Sequence, residues 1–451
     1  QGSPYNDKKS LMLATDDLPD IIFGSVTASE LVKYGAEGSF IPMEDLIASH
    51  APLLSALFEK RPELVNFMTA EDGHMYGVPK ITEGPWNQVS RIYNINTAWL
   101  ERLGLQMPHN LSDFRAMLIA FRDKDPNGNG QADEVPITFE SGSAFSVAQF
   151  EYIFGAYGIG ASTSLLDVQD GKVVCIAADD RYAKAIAYIT DLYAQGLIDP
   201  DAFVMDNAQW KAKINNPSIV VGVSPNWDYN DNIGDPNILA EYGIMPPLWS
   251  DEGDAPVVVS PAMYGYSRGS GVITKACENT EAAMRWIDYW FDEINSYEAS
   301  EGPIGVRLNY FEDGSLQLGT PASSVVGEIL PRASVCINPF SIRALLKEYF
   351  TEGHIAYPST FPKVNFIESE VLQYADKDPF NTKLYYTLAE SETISMLETD
   401  IRNFINRRSA EWIVNGGVEA DWEAFQQELL KMGLEYYLAA QQSAYDRMYA
   451  Q

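Results

Sequence analysis

Cysteine is scarce in this chain of 451 residues: Cys175, Cys277 and Cys336 stand far apart and are odd in number. Without a Cys-Xaa-Xaa-Cys pair the sequence argues against a thiolate metal site, a redox pair or an obligatory disulfide framework. The four histidines, His50, His74, His109 and His354, form no HExxH or paired-ligand spacing, which argues against zinc chemistry. No run of about 20 apolar residues exists, so no segment reads as a membrane span. The opening Gln1-Gly-Ser-Pro-Tyr5 is not a signal peptide, and the chain reads as a mature or trimmed fragment. Basic residues are few, 31 against 63 acidic, for a formal net charge of −32. Such a surface repels phosphate backbones, which disfavours nucleic acid as a partner, and it disfavours polyanionic glycans that need a basic pocket. Three nucleotide or hydrolase fingerprints, GxSxG, GxxxxGK[ST] and GxGxxG, are also missing.

What is present is an ordinary globular composition, 46% hydrophobic, long enough for about two or three domains. One stretch stands out, Asp123-Lys-Asp-Pro-Asn-Gly-Asn-Gly-Gln-Ala-Asp-Glu-Val-Pro136. Oxygen-bearing side chains alternate there with turn-forming residues, as a short loop around calcium requires. Two registers fit. One begins at Asp123, with Asp125, Asn127, the bend at Gly128 and Glu134 in twelfth place, and satisfies the EF-hand pattern. The preferred one begins at Asp125, with Asn127, Asn129, the bend at Gly130, the carbonyl of Gln131, then Asp133 and Glu134. Val135-Pro-Ile-Thr-Phe139 follows and reads as a strand, so the second helix of a calcium sensor is lacking and the ion would fasten a helix to a strand. Calcium is therefore expected in a structural role.

Along the chain, Leu18–Gly24 reads as a buried parallel strand, preceded by a helix carrying Leu11-Met-Leu13. Helical spacing follows at Val26–Tyr34 and after Phe40. Strands are predicted at His74–Pro79, Arg91–Ile95, Ser218–Val223 and Met263–Thr274, with a hairpin over Leu165–Ala177. Helices are predicted at Ala98–Leu105, from Pro108 into the loop (capped by Asn110 or Ser112), and at Phe145–Gly155, Arg181–Gln195, Trp210–Asn215 and Thr280–Phe291. Beyond about residue 340 the pattern is helical. Strands alternating with helices predict an α/β fold with mainly parallel sheets. No repeat or low-complexity linker marks a border.

Asp16-Asp-Leu-Pro-Asp-Ile-Ile22, Tyr34-Gly-Ala-Glu-Gly-Ser-Phe-Ile-Pro42, Asp72-Gly-His-Met-Tyr-Gly-Val-Pro79, the Asp125–Pro136 loop and the tail from Trp422 to Arg447 occur in that order. Together they resemble extracellular solute-binding proteins of carbohydrate ABC transporters, in the calcium-containing branch that includes alginate-oligosaccharide binders and LplA-type lipoproteins. The resemblance implies a two-lobed fold of the periplasmic-binding-protein type II, with a ligand cleft between lobes and a helical C-terminal region. It places the first lobe at about 1–137 plus 266–325 and the second at about 138–265 plus 326–451. It further implies a monomer that works with membrane permease subunits, either lipid-anchored on the extracellular face of a bacterial membrane or periplasmic. Only about 15 residues precede the Asp-Leu-Pro-Asp motif, so an N-terminal piece of the first lobe is expected to be missing from this numbering.

Sugars offer flat C–H faces rimmed by hydroxyls, so a binder wants aromatic platforms beside polar side chains. Trp86 and Asn87 lie in the turn-rich Glu83–Gln88 segment, and Trp227, Asp228 and Tyr229 follow a buried strand. Trp227 also matches the tryptophan on which the sugar stacks in the family. Tyr264 and Tyr266 on a candidate crossing strand, Arg307 in a loop, and Phe340 by a looser correspondence complete the candidate set. Trp286 and Trp290, at i and i+4 on one helix, read as core packing or helix pairing, and Trp412 and Trp422 as structural. The charge favours a neutral oligosaccharide over a uronate. A glycoside hydrolase or polysaccharide lyase is the main alternative, since paired carboxylates are too common here to discriminate. A calcium-regulated interaction protein is disfavoured, because one loop without a partner helix opens no groove. Trp227→Ala should weaken glycan binding by about 1–3 kcal/mol through lost apolar contact; titration calorimetry giving the parent affinity would remove the platform role.

Overall fold

Two four-stranded sheets organise the chain. In order, the strands are β1 (Ile21–Val26), β2 (Val78–Thr82), β3 (Ile92–Asn96), β4 (Val135–Ile137), β5 (Leu166–Gln169), β6 (Lys172–Cys175), β7 (Val221–Asn226), β8 (Tyr242–Met245), β9 (Ser267–Ile273), β10 (Leu308–Tyr310), β11 (Leu316–Leu318) and β12 (Arg343–Leu345). The helices used below are α1 (Ser3–Thr15), α2 (Ala28–Ala36), α3 (Pro52–Lys60), α4 (Glu63–Met68), α5 (Leu111–Asp123), α6 (Asp180–Ala194), α7 (Thr280–Asp288), α8 (Glu293–Glu301), α9 (Leu388–Asn415), α10 (Val418–Lys431) and α11 (Leu434–Tyr449). The computed structural model describes residues 3–83, 89, 91–140, 146–226, 229, 232–259, 265–312, 314–318, 342–352, 355, 362–376, 379–380 and 383–449.

The first sheet runs β1-β9-β2-β12 and the second β4-β7-β3-β8. Most pairings are antiparallel: β9 with β1 and β2, and β3 with β7 and β8. Among the described strands of these two sheets, β12–β2 and β4–β7 are the parallel pairs. The expectation of mainly parallel sheets therefore fails, and so does the parallel reading of the strand near Leu18–Gly24. The reason is topological. β3 follows β2 in the chain but pairs in the second sheet, and β9 follows β8 but pairs in the first, with no helical crossover among the described residues between them.

Lobe borders drawn at 137 and 326 also differ from the strand pairing. β3 and β4 hydrogen-bond within the second sheet, while β12, in the stretch read as helical, pairs with β2 in the first. Each sheet has its own packed interior. Leu54, Phe67, Met68, Val78, Ile81, Met284 and Ile342 belong to the cluster beneath the first sheet. The larger cluster joins Tyr93, Phe121, Ile137, Tyr182 and Val223 to Ile405, Trp412, Phe425 and Tyr437 of the C-terminal helices. Those helices therefore pack on the second sheet's body. Trp412 is 1% exposed and meets Trp422 and Phe425 at ring distances of 6.2 and 4.9 Å, the structural role expected. Trp286 pairs edge-on with Trp290 at 6.2 Å, but it is 46% exposed, because it stands against Phe23 on the outer side of α7 and points away from the core. Among the described residues no helix is long and apolar enough to cross a membrane.

Registers fix which strand ends lie together. Lys80 faces Ser267, and Leu345 faces Thr82, so the end of β2, the start of β9 and the end of β12 share one edge of the first sheet. Ile92 faces Asn226, Tyr93 faces Met245 and Ile137 faces Val223, so the start of β3 gathers with the ends of β4, β7 and β8. Val89, Ile92, Val258, Ile367 and Val371 form a small apolar cluster of the connecting segments. Backbone bonds from Val258 to the Tyr374 carbonyl and from Asp376 to the Val258 carbonyl, both 2.9 Å, tie two of those segments together.

Candidate functional site

The acidic loop sits where the sequence places it, between α5 and β4. Asn110 caps α5, its side chain accepting from Asp113 N–H, whereas Ser112 instead donates to Asp251 at 2.8 Å. Asp123 ends the helix paired with Arg122 at 2.6 Å, which holds its carboxyl below the usual range and leaves it outside the loop. Asp125, at φ 46°, turns its carboxylate inward to accept from Asn129 and Gly130 N–H, both at 3.1 Å. Gly128 and Gly130, at φ 73° and 74°, supply left-handed bends that other residues resist. The amide nitrogens of Asn127 and Asn129 both donate to Asp133 at 3.0 Å. Glu134 Oε1 is buried with no hydrogen-bond partner. Burial raises the Glu134 pKa, and repulsion from Asp125 and Asp133 adds to it. Among the described residues no group of three or more His, Cys, Asp and Glu side chains is arranged as a metal site. The donor set is a mixture of carboxylates and amides, which suits an oxygen-seeking cation, and the orphaned Glu134 oxygen is what such a cation would satisfy.

The ligand-directed residues fare unevenly. Trp86, Asn87, Trp227, Asp228, Tyr264 and Phe340 lie outside the described residues. Several described residues flanking them, Glu83, Val89, Asn226 and Gly265, sit at the gathered strand ends. Tyr229 is not a contact surface: it is 2% exposed, with Tyr242 at 4.9 Å and Trp210 at 6.4 Å, and desolvation pushes its hydroxyl pKa up. Arg307 folds back on its own loop, donating to the Glu301 carbonyl at 2.7 Å and pairing with the Glu301 carboxylate at 3.9 Å. That brace between α8 and β10 accounts for its side chain.

Tyr266 donates its hydroxyl to Glu83, in a network that sequence reading did not anticipate. Arg61, at the C-cap of α3, forks onto Glu83 with both contacts at 3.1 Å and onto Glu348 at 2.7 and 2.8 Å. Lys347 N–H donates at 2.9 Å to Glu83 Oε2, which also accepts from Arg61. Burial alone would raise the Glu83 pKa, but Arg61, Tyr266 and the Lys347 amide together hold it below the ordinary value. The three acid and base partners are spread from residue 61 to 348, so no local motif announces them. Their effect is to fix the end of β2, from which the connection to the second sheet departs.

The family model for the bacterial extracellular solute-binding protein matches residues 1–295. In sequence the chain is 32% identical to the fructooligosaccharide ABC transporter substrate-binding protein FusA of Streptococcus pneumoniae serotype 4 (strain ATCC BAA-334 / TIGR4), over 99% of this chain and 84% of the relative. It is 27% identical to lipoprotein LipO of Bacillus subtilis (strain 168), over 66% of this chain and 57% of the relative. Among solved structures, FusA of S. pneumoniae in complex with kestose superposes with a TM-score of 0.83 at 31% identity, covering 99% of this chain and 91% of that one. A FusA EF-hand mutant in complex with fructo-nystose gives the same TM-score, 0.83, at 30% identity and the same coverage, 99% and 91%.

Replacing Arg61 with Met should lower stability by about 1–3 kcal/mol, because Glu83 and Glu348 lose their shared cation. A depressed glutamate contributes stability above its unfolded pKa and loses it as the pH falls through the folded value. Urea unfolding of the parent should therefore weaken across that acidic window more steeply than that of Arg61→Met. Parallel curves would remove the network from the account.

Proposed function

Since this chain belongs to the family of bacterial extracellular solute-binding proteins, we propose that its ligand is a neutral oligosaccharide containing fructose, released unaltered. The chain is the substrate-binding component of an oligosaccharide ABC importer. The observation that carries the choice of sugar is the likeness to FusA across 99% of the chain. The net charge of −32 fits a neutral glycan better than a uronate.

The first lobe is proposed to comprise described residues up to 83 with 265–318 and 342–352, and the second 91–259 with the C-terminal helices. Trp86, Asn87, Trp227, Asp228, Tyr264 and Phe340 remain the proposed contacts, supported by their place in sequence next to the gathered strand ends. Tyr266 acts through Glu83 as a positioning residue. A sugar touching both lobes favours the closed arrangement, and the junction cluster of Val89, Ile92, Val258, Ile367 and Val371 serves as the pivot. The closed form docks on permease subunits as a monomer. LipO's designation as a lipoprotein supports a lipid anchor on the extracellular face of a bacterial membrane.

Calcium is proposed to bind in the register that starts at Asp125, held by Asp125, Asn127, Asn129, Asp133, Glu134 and the carbonyl of Gln131. The inward carboxylate of Asp125, the outward pairing of Asp123 and the orphaned Glu134 oxygen support it. The ion's part is to supply positive charge that fastens α5 to β4. It takes no part in sugar contact.

Titration calorimetry with kestose should show saturable binding, and chromatography after incubation should return the sugar intact. Shortened products would overturn the reading, as would uronate oligomers binding more tightly than kestose. Calcium at about a hundredfold its dissociation constant should stabilise the fold by about 2.7 kcal/mol while sugar affinity stays constant. Because the pKa of Glu134 is raised, the ion-free fold is favoured while this group is protonated, and that advantage is lost as the pH rises through its elevated value. Calcium's stabilising effect should thus grow across that window, and Glu134→Gln should blunt it. Calorimetric scans identical with and without EDTA would remove the ion.

A further inference from the structure

A cavity of about 380 Å³ lies between the first sheet's body and the C-terminal helices, lined by residues that include Thr69, Arg268, Tyr385, Thr387 and Arg447. Its size falls within the range of small-molecule sites. Arg268, on β9, is 6% exposed, and its guanidinium lies 3.9 Å from the Phe67 ring centre and 4.0 Å from that of Tyr385. Its Nε donates to the Phe67 carbonyl, its one hydrogen bond among the described residues, and none of their carboxylates pairs with it. A guanidinium carries five N–H donors, so four remain for whatever enters the cavity.

Several of the other polar walls are already occupied. Arg447 grips Glu390 at 2.6 and 3.1 Å and the Tyr385 carbonyl at 3.0 Å. Thr387 caps α9, Tyr386 donates to Gln441 at 2.7 Å, and the Thr69 hydroxyl donates to the Val65 carbonyl at 2.7 Å. Glu71 is the one acidic side chain among the lining residues, and it is exposed at the rim. Burial and the nearby Arg268 both lower the pKa of Lys383. Desolvation draws Arg268 itself down to about 10, a cost the tyrosines Tyr385 and Tyr386 offset only in part. A cation held rigid between two rings, desolvated and lacking a carboxylate among the described residues, is a prepared receptor for a planar or tetrahedral anion.

We propose that this cavity binds a small oxyanion, the phosphate or carboxylate group of a small molecule, in a forked contact with Arg268, at a site separate from the glycan cleft. The bound anion would touch β9 of the first body on one side and the segment leading into α9 on the other, bridging the two.

Titration calorimetry of the full chain with inorganic phosphate, and separately with acetate, tests it. Saturable binding of a single anion per chain is expected, and the tighter of the two assigns the chemistry. Arg268→Gln should weaken it by about tenfold or more. Thr69→Trp, which leaves Arg268 in place and fills the mouth, should weaken it likewise while the thermal midpoint stays near the parent's. Three results would overturn the proposal: no saturable heat from either anion, parent-like binding in both variants, or displacement of the anion by kestose. A protein that fails to bind kestose yet binds phosphate would sink the sugar assignment and leave this site standing.

Discussion

The two bodies communicate through antiparallel strands laid into sheet interiors. β9 lies between β1 and β2, and β3 lies between β7 and β8. A strand inserted centrally is hydrogen-bonded on both sides, so the chain that connects the bodies cannot be pulled out without breaking a sheet. That constraint puts the end of β2 beside the start of β9, and the start of β3 beside the end of β7. The Arg61–Glu83–Glu348 network then reads as reinforcement of one side of that junction. It holds the departure point of the chain at the end of β2.

How much of this was legible beforehand depends on whether the signal was local. The loop from Asp125 to Glu134, its helix on one side and its strand on the other, follows from residue types within a dozen positions. The hairpin at Gln169-Asp-Gly171 and the helix closed by Gly196 are equally local. Strand direction was not legible, because a buried apolar run such as Ile21–Val26 looks the same parallel or antiparallel. Tyr229 was misread for a related reason: its position after β7 suggested a cleft, while Trp210 and Tyr242, which bury it, come from elsewhere in the chain. Arg307 was read as a ligand contact from its place in a loop, and the backbone carbonyl that it serves carries no sequence mark.

Electrostatics shows the same divide. Composition describes an acidic protein without a basic cluster, and along the sequence that is true. In space, Arg268, Lys383 and Arg447 are drawn together from positions more than a hundred residues apart at the extremes, against a background of −32. Arg447 pairs with Glu390 at 2.6 Å. Net charge therefore bounds long-range steering and solubility, while a buried site answers to its few nearest neighbours.

The amide groups of Asn127 and Asn129 hold out their hydrogens to Asp133 at the centre of the acidic loop. The contacts that shape the turn draw its oxygen-bearing side chains to one point, where an oxygen-seeking cation would find its donors.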